Sequence, residues 1–137
     1  MKLGNEEILL INALNSFSGV DAVDCIIKGN RVTFMVKESD IGNVIGRNGS
    51  NIKKLRNKIR KDIDVFAYSA DPKRFIKNVF RGIEFNEIEL GEEEGKKNVL
   101  LKLDSENKRK IMNETNKLKK IKELMQRHYN VNEIRIR

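Results

Sequence analysis

Apolar residues along this chain recur with two periods, and the switches between them mark out its elements. From Glu6 to Phe17 they stand at 8, 11 and 14, with extras at 9, 10 and 13, the spacing of a largely buried helix that ends near Gly19. Val23, Cys25 and Ile27, then Val32, Phe34 and Val36, alternate on either side of Gly29-Asn30, which predicts two strands joined by a tight hairpin. Ser39 and Asp40 are placed to cap a short helix holding Ile41, Val44 and Ile45, and a second helix carries Ile52, Leu55 and Ile59. Ile63, Val65 and Ala67 alternate again as a strand. The order is α-β-β-α-α-β.

That order then starts afresh. Asp71-Pro72 combines an N-cap residue with a proline suited to the first helical position, and it opens a helix carrying Phe75, Ile76, Val79, Phe80 and Ile83. A strand around Phe85 to Leu90, an acidic turn bounded by Gly91 and Gly95, and a strand with Val99, Leu101 and Leu103 follow. A helical stretch from Glu106 to Ile111, a longer helix with Leu118, Ile121 and Met125, and a last strand from Val131 to Ile136 complete the series. A shift of 66 residues lays Ile45 on Ile111, Ile52 on Leu118, Leu55 on Ile121 and Ile59 on Met125. The chain is therefore expected to be α+β, with two tandem modules spanning 1–69 and 70–137. A connection of about three residues after Tyr68 predicts that they are closely docked.

Composition narrows the partners. Of 137 residues, 28 are Lys or Arg and 20 are Asp or Glu, a net charge of +8 that favours polyanions, either nucleic acid or an anionic membrane surface. Glu6 and Glu7 precede a four-residue apolar run, Ile8 to Ile11, so the N-terminus reads as neither a signal peptide nor a membrane span, and a cytoplasmic protein is expected. One cysteine, Cys25, rules out an internal disulfide and a multi-cysteine zinc site, and its alternation with Val23 and Ile27 suits a buried strand position. His128 follows the helical series Leu118, Ile121, Leu124, Met125 with no partner ligand nearby in sequence, so it reads as a packed or surface histidine. No Walker-type glycine-lysine loop, no strand-borne G-x-G-x-x-G and no nucleophile with a histidine partner is present. Neither catalysis nor a metal or cofactor is expected.

The chemistry is expected at Gly46-Arg47-Asn48-Gly49, between two helices. Two glycines allow a sharp turn that leaves backbone N–H groups unshielded, and the helix starting at Ser50 or Asn51 turns the positive end of its dipole toward the same place. Together these predict a phosphate site, to which Arg47 adds a charge-assisted hydrogen bond and Asn48 a polar contact. From Arg47 to Lys61 the chain carries Arg47, Lys53, Lys54, Arg56, Lys58, Arg60 and Lys61 and no acidic residue, more positive charge than a merely solvated face requires.

A G-x-x-G turn inside an α-β-β-α-α-β frame resembles the KH domain, in the type II arrangement with its extra helix at the N-terminal end. The stretch Asp40-Ile41-Gly42-Asn43-Val44-Ile45-Gly46-Arg47-Asn48-Gly49-Ser50-Asn51-Ile52 carries the resemblance. It implies that the loop clamps the backbone of single-stranded RNA while the bases lie along an apolar groove. On that basis the RNA-binding candidates are Ile45, Gly46, Arg47, Asn48, Gly49, Asn51, Ile52, Lys53 and Lys54, with Ile45 and Ile52 serving either the groove floor or the core.

Two such modules in tandem, with Lys61-Asp62-Ile63-Asp64-Val65 followed by Tyr68-Ser69-Ala70-Asp71-Pro72, resemble the archaeal NusA-like transcription factors. The resemblance implies a role in transcription termination and antitermination, with nascent RNA and RNA polymerase or the transcription complex as candidate partners. A KH protein of the ribosome or of its assembly is the alternative that shares the fold. The second module departs from the pattern: Met112-Asn113-Glu114-Thr115 replaces the G-x-x-G, and Asn107, Lys108, Arg109 and Lys110 replace the apolar helix before it. Without glycines, and with Glu114 at the would-be phosphate position, that module is expected not to clamp RNA.

Overall fold

The computed structural model describes residues 3–137, so Met1 and Lys2, the first two residues of the predicted N-terminal segment, lie outside the described residues. The chain divides into two compact units, with the boundary between Ser69 and Ala70. Among the described residues no helix is long and apolar enough to cross a membrane.

The first unit runs α1 (Asn5–Ser18), β1 (Asp24–Lys28), β2 (Arg31–Lys37), α2 (Ile41–Ile45), α3 (Ser50–Ile59) and β3 (Asp62–Tyr68). Gly19 in the left-handed conformation stops α1, its N–H donating to the Asn15 carbonyl. Strand order is β1-β2-β3, with β1 antiparallel and β3 parallel to the central β2. Antiparallel neighbours need only the two-residue turn at Gly29-Asn30, whereas a parallel pair needs a crossover. The segment α2–turn–α3 is that crossover, which anchors the glycine turn at both ends.

Register places Cys25 opposite Phe34 and Phe34 opposite Val65, one row across the helix-facing side of the sheet. Onto that face pack Leu10 and Leu14 of α1, Val44 of α2 and Leu55 of α3, with Val32, Val36 and Ile63 closing the core. Cys25 is buried there, as its alternation predicts. Leu55 is 1 % exposed, so truncating it to alanine costs about 2–5 kcal/mol. Ile52 and Ile59 of α3 pack against the same core beside it.

The second unit repeats the plan with α4 (Pro72–Val79), β4 (Glu87–Glu93), β5 (Lys96–Lys102), α5 (Ser105–Asn113), α6 (Thr115–Tyr129) and β6 (Val131–Ile136). Its sheet has the order β4-β5-β6, again antiparallel then parallel. Asp71 caps α4 by accepting from the Lys73 N–H, with Pro72 beside it, as the sequence predicts. The ring of Phe75 lies 5.5 Å from that of Tyr129. Both modules end the helix before their last strand on a non-glycine residue in the left-handed region, Arg60 and Asn130. The shared topology bears out the α+β tandem repeat.

Several details differ from the sequence reading. Ser39 and Asp40 do not cap α2: residues Glu38–Asp40 form a 3-10 turn leading straight into it, and Asp40 has helical angles (φ −98°, ψ −8°) that keep its side chain from the cap position. Helix α4 ends at Val79, because Phe80 leaves helical angles, so Ile83 lies beyond it. The acidic turn is narrower than Gly91 to Gly95. Cross-strand pairs Glu92–Lys97 and Glu93–Lys96 extend the hairpin to a two-residue turn, Glu94-Gly95, both at positive φ. Leu55 and Ile121 are each 1 % exposed and so do match under the shift of 66, but Ile45 is 40 % exposed where Ile111 is fully buried. Val44, at 1 %, plays the part of Ile111. The repeat is thus out of register by one residue before the turn.

Candidate nucleic-acid interface

Helix α2 is only five residues long, and Gly46 ends it with φ 77° and ψ 174° after donating its N–H to the Gly42 carbonyl. Asn48 (φ 54°, ψ 30°) and Gly49 (φ 74°, ψ 19°) follow in the left-handed region. Three of the four loop residues therefore have positive φ. Glycine accepts this freely, and asparagine is among the few other residues that accept it, so Asn48 has a conformational role besides the polar one expected of it. The preference of asparagine for left-handed angles was the available signal.

The turn is compact. The Gly49 N–H donates to the Gly46 carbonyl at 3.1 Å, and the Ser50 N–H donates to the Arg47 carbonyl. Two N–H groups at the mouth of α3, expected to be open to an anion, are thus engaged within the turn. Those of Arg47 and Asn48 have no backbone acceptor outside regular elements among the described residues. The Asn51 side chain folds back to donate from Nδ2 to the Asn43 carbonyl at 2.7 Å, tying α3 to α2.

Around this turn Arg47, Asn48, Lys53, Lys54, Arg56, Lys58 and Arg60 are exposed, and among the described residues none of the basic ones is paired with a carboxylate. Lys61 instead donates from Nζ to the Gly29 carbonyl at 3.3 Å, which draws it away from the group. The two apolar candidates separate: Ile45 presents its side chain to solvent, and Ile52 packs against the core. Ile52 thus serves α3 packing, while Ile45 is an exposed apolar side chain next to the turn.

The second module has no equivalent turn. Only Glu114 (φ −94°, ψ 56°) separates α5 from α6, its N–H donating to Ile111 and its carbonyl accepting from Leu118. Its carboxylate stands 3.5 Å from Lys117 Nζ, which also donates to the Val79 carbonyl. No left-handed residue opens the backbone here. Asn107, in the helix that departs from the family pattern, is buried and structural: its Oδ1 accepts from the Glu84 N–H at 3.0 Å, while its backbone N–H and Nδ2 both donate to Asp104. Those bonds, the backbone one foremost, hold the Asp104 carboxyl below its ordinary value. Asp104 is thereby the N-cap of α5, a signal in Asp104-Ser105 that the reading of Glu106 to Ile111 passed over.

Residues 11–106 match the model of the KH domain. The chain belongs to the KH family, among its NusA-like archaeal members. A probable transcription termination protein NusA of Methanocaldococcus jannaschii is 31% identical over 138 residues, covering 99% of this chain and 75% of that one. A protein of the same description from Methanococcus vannielii is 39% identical over 88 residues, which is 64% of this chain and 51% of the relative. The solved structure described as the crystal structure of APE1850 superposes with a TM-score of 0.85 at 33% identity, covering 98% of this KH protein and all of that chain. KH domains are RNA-binding modules whose G-x-x-G loop contacts the nucleic-acid backbone. This KH protein is accordingly RNA-binding, with one glycine loop of that form.

Proposed function

We propose that this protein binds nascent single-stranded RNA in transcription termination or antitermination, gripping the RNA through its first module alone. The observation that carries the reading is the Gly46–Gly49 turn. Its backbone is held open by three left-handed residues, and it is bordered by Arg47, Lys53 and Lys54 with no acidic neighbour in the segment. In this reading the turn and Arg47 hold phosphate, Asn48 adds a polar contact, Lys53 and Lys54 follow the backbone, and Ile45 lies against a base. Asn51 and Ile52 support the clamp from behind. RNA polymerase or the transcription complex is the further partner, the setting is the cytoplasm, and the role is binding without catalysis or cofactor.

The relatives described as probable transcription termination proteins support the transcriptional setting, and the lack of glycines at Met112 to Thr115 supports the division of labour between modules. Crosslinking in cells, followed by sequencing of the bound RNA, tests the proposal. Nascent transcripts, enriched near their 3′ ends, are the expected catch. A yield dominated by ribosomal RNA would replace this role with one in the ribosome or its assembly.

A further inference from the structure

The carbonyls at the end of α2 are short of partners. In an uninterrupted helix the Asn43 carbonyl would accept from the N–H of Arg47, four residues on, and Val44 from that of Asn48. Gly46 breaks the series with ψ 174°, and the Asn43 carbonyl accepts from the Asn51 side chain at 2.7 Å. The same side chain is seated against Gly46, where an added Cβ would stand 2.8 Å from Asn51 Cγ. Asn51 thus occupies the acceptor to which the Arg47 N–H would return if α2 continued.

We propose that Asn51 is a positioning residue that keeps the loop open, with the N–H groups of Arg47 and Asn48 as the two backbone donors offered to an RNA phosphate. Asn51 itself does not touch RNA. The inference rests on the reading of this turn as a phosphate clamp, and it specifies which atoms of the turn do the gripping. It divides the six residues from Gly46 to Asn51 by task. Gly49 and Ser50 spend their N–H groups on closing the turn, and Arg47 and Asn48 keep theirs for the ligand. Asn51 satisfies the carbonyl left behind. The Asn43 carbonyl lies at the surface, so without Asn51 water and the nearby Arg47 N–H compete for it, and the α2 end is expected to wind on by one residue and recapture the Arg47 N–H.

The test uses the full chain with Asn51→Ala and the conservative Asn51→Gln, whose longer amide can still reach back to α2. Water exchange of the Arg47 and Asn48 amides is followed by NMR in the RNA-free protein, and affinity is measured for a short mixed-sequence single-stranded RNA. Expected for Asn51→Ala is slowed exchange at Arg47, unchanged exchange in β2 and β3, and binding weaker by on the order of fivefold, the scale of one hydrogen bond. Asn51→Gln is expected to recover both. Weaker binding with the Arg47 amide unchanged in the free protein would mean that Asn51 contacts RNA directly, and the proposal fails. Slowed exchange spread evenly over the module would assign Asn51 to general stability, and it fails equally. Arg47→Ala serves as the control for the underlying reading. If it leaves RNA binding intact, the clamp is wrong, while the exchange measurement still decides whether Asn51 holds the loop open.

Discussion

Gly46 lies so close to the first turn of α3 that a Cβ added to it would stand 2.8 Å from the backbone nitrogen of Asn51. A backbone atom cannot step aside as a side-chain tip can, and φ 77° is itself strained for any other residue. Gly46→Ala is therefore expected to rearrange the turn and abolish measurable RNA binding. Gly49→Ala meets only Ile52 Cγ2 and Lys53 Cε at 3.8 Å and should suffer the strain alone, about 1 kcal/mol or somewhat more. Binding titrations with the two variants check the ranking, which the reverse order would overturn.

Replacing Arg47 and Asn48 by aspartate retains both glycines and puts two negative charges beside the proposed phosphate position. Asparagine and aspartate both tolerate the left-handed angles of position 48, so the fold should persist by circular dichroism. Loss of one charge-assisted contact is worth roughly 1.5–3 kcal/mol, so affinity should fall at least about tenfold. Asn113→Asp, beside Glu114 in the second module, should cost less than about threefold. An equal loss from both changes would make the second module a working RNA site.

Salt distinguishes a backbone clamp from base-only recognition. With roughly three or four phosphates neutralised, log affinity should decline against log salt with a slope of about −2 to −3 for single-stranded RNA. Arg47→Ala should make that slope shallower by about 1. Affinity that does not change with salt, or that is equal for a blunt duplex, counts against the clamp.

The Asp104–Asn107 pair predicts an acid-sensitive contribution to the second module. The Asp104 carboxyl sits below its ordinary value of 3.8 because it accepts from the Asn107 backbone N–H and then from its side chain. A depressed carboxyl stabilises the fold fully above its unfolded value, and that gain is lost as pH falls through the folded one. The melting-temperature gap between wild type and Asp104→Ala should thus be complete near pH 6 and close progressively below about pH 4. Asn107→Ala, which leaves the Glu84 N–H without its acceptor, should cost about 1–3 kcal/mol at neutral pH. Thermal melts across the pH range read both effects.

Hydrophobic period and turn chemistry are local, and they were enough to specify the main helices and strands, their order and the repeat. Strand alternation gave away Cys25, Phe34 and Val99, and proline after aspartate marked the start of α4. The glycine loop was legible for the same reason, since its conformational demand is written in Gly46 and Gly49 themselves. What tertiary structure alone decided is where each side chain spends its bonds. Ile45 and Ile52 look alike in sequence, yet one faces solvent and the other the core, because the break at Gly46 resets the helical phase between α2 and α3. That reset also shifts the repeat by one residue and exchanges Val44 for Ile45 at the buried position. Asn51 read as one more contact and turned out to serve the Asn43 carbonyl, and Asn107 read as a departure from pattern and turned out to join α5 to the segment before β4. Such pairings span 8 and 23 residues of chain, and no local period encodes an acceptor that comes within reach only after the helices have packed.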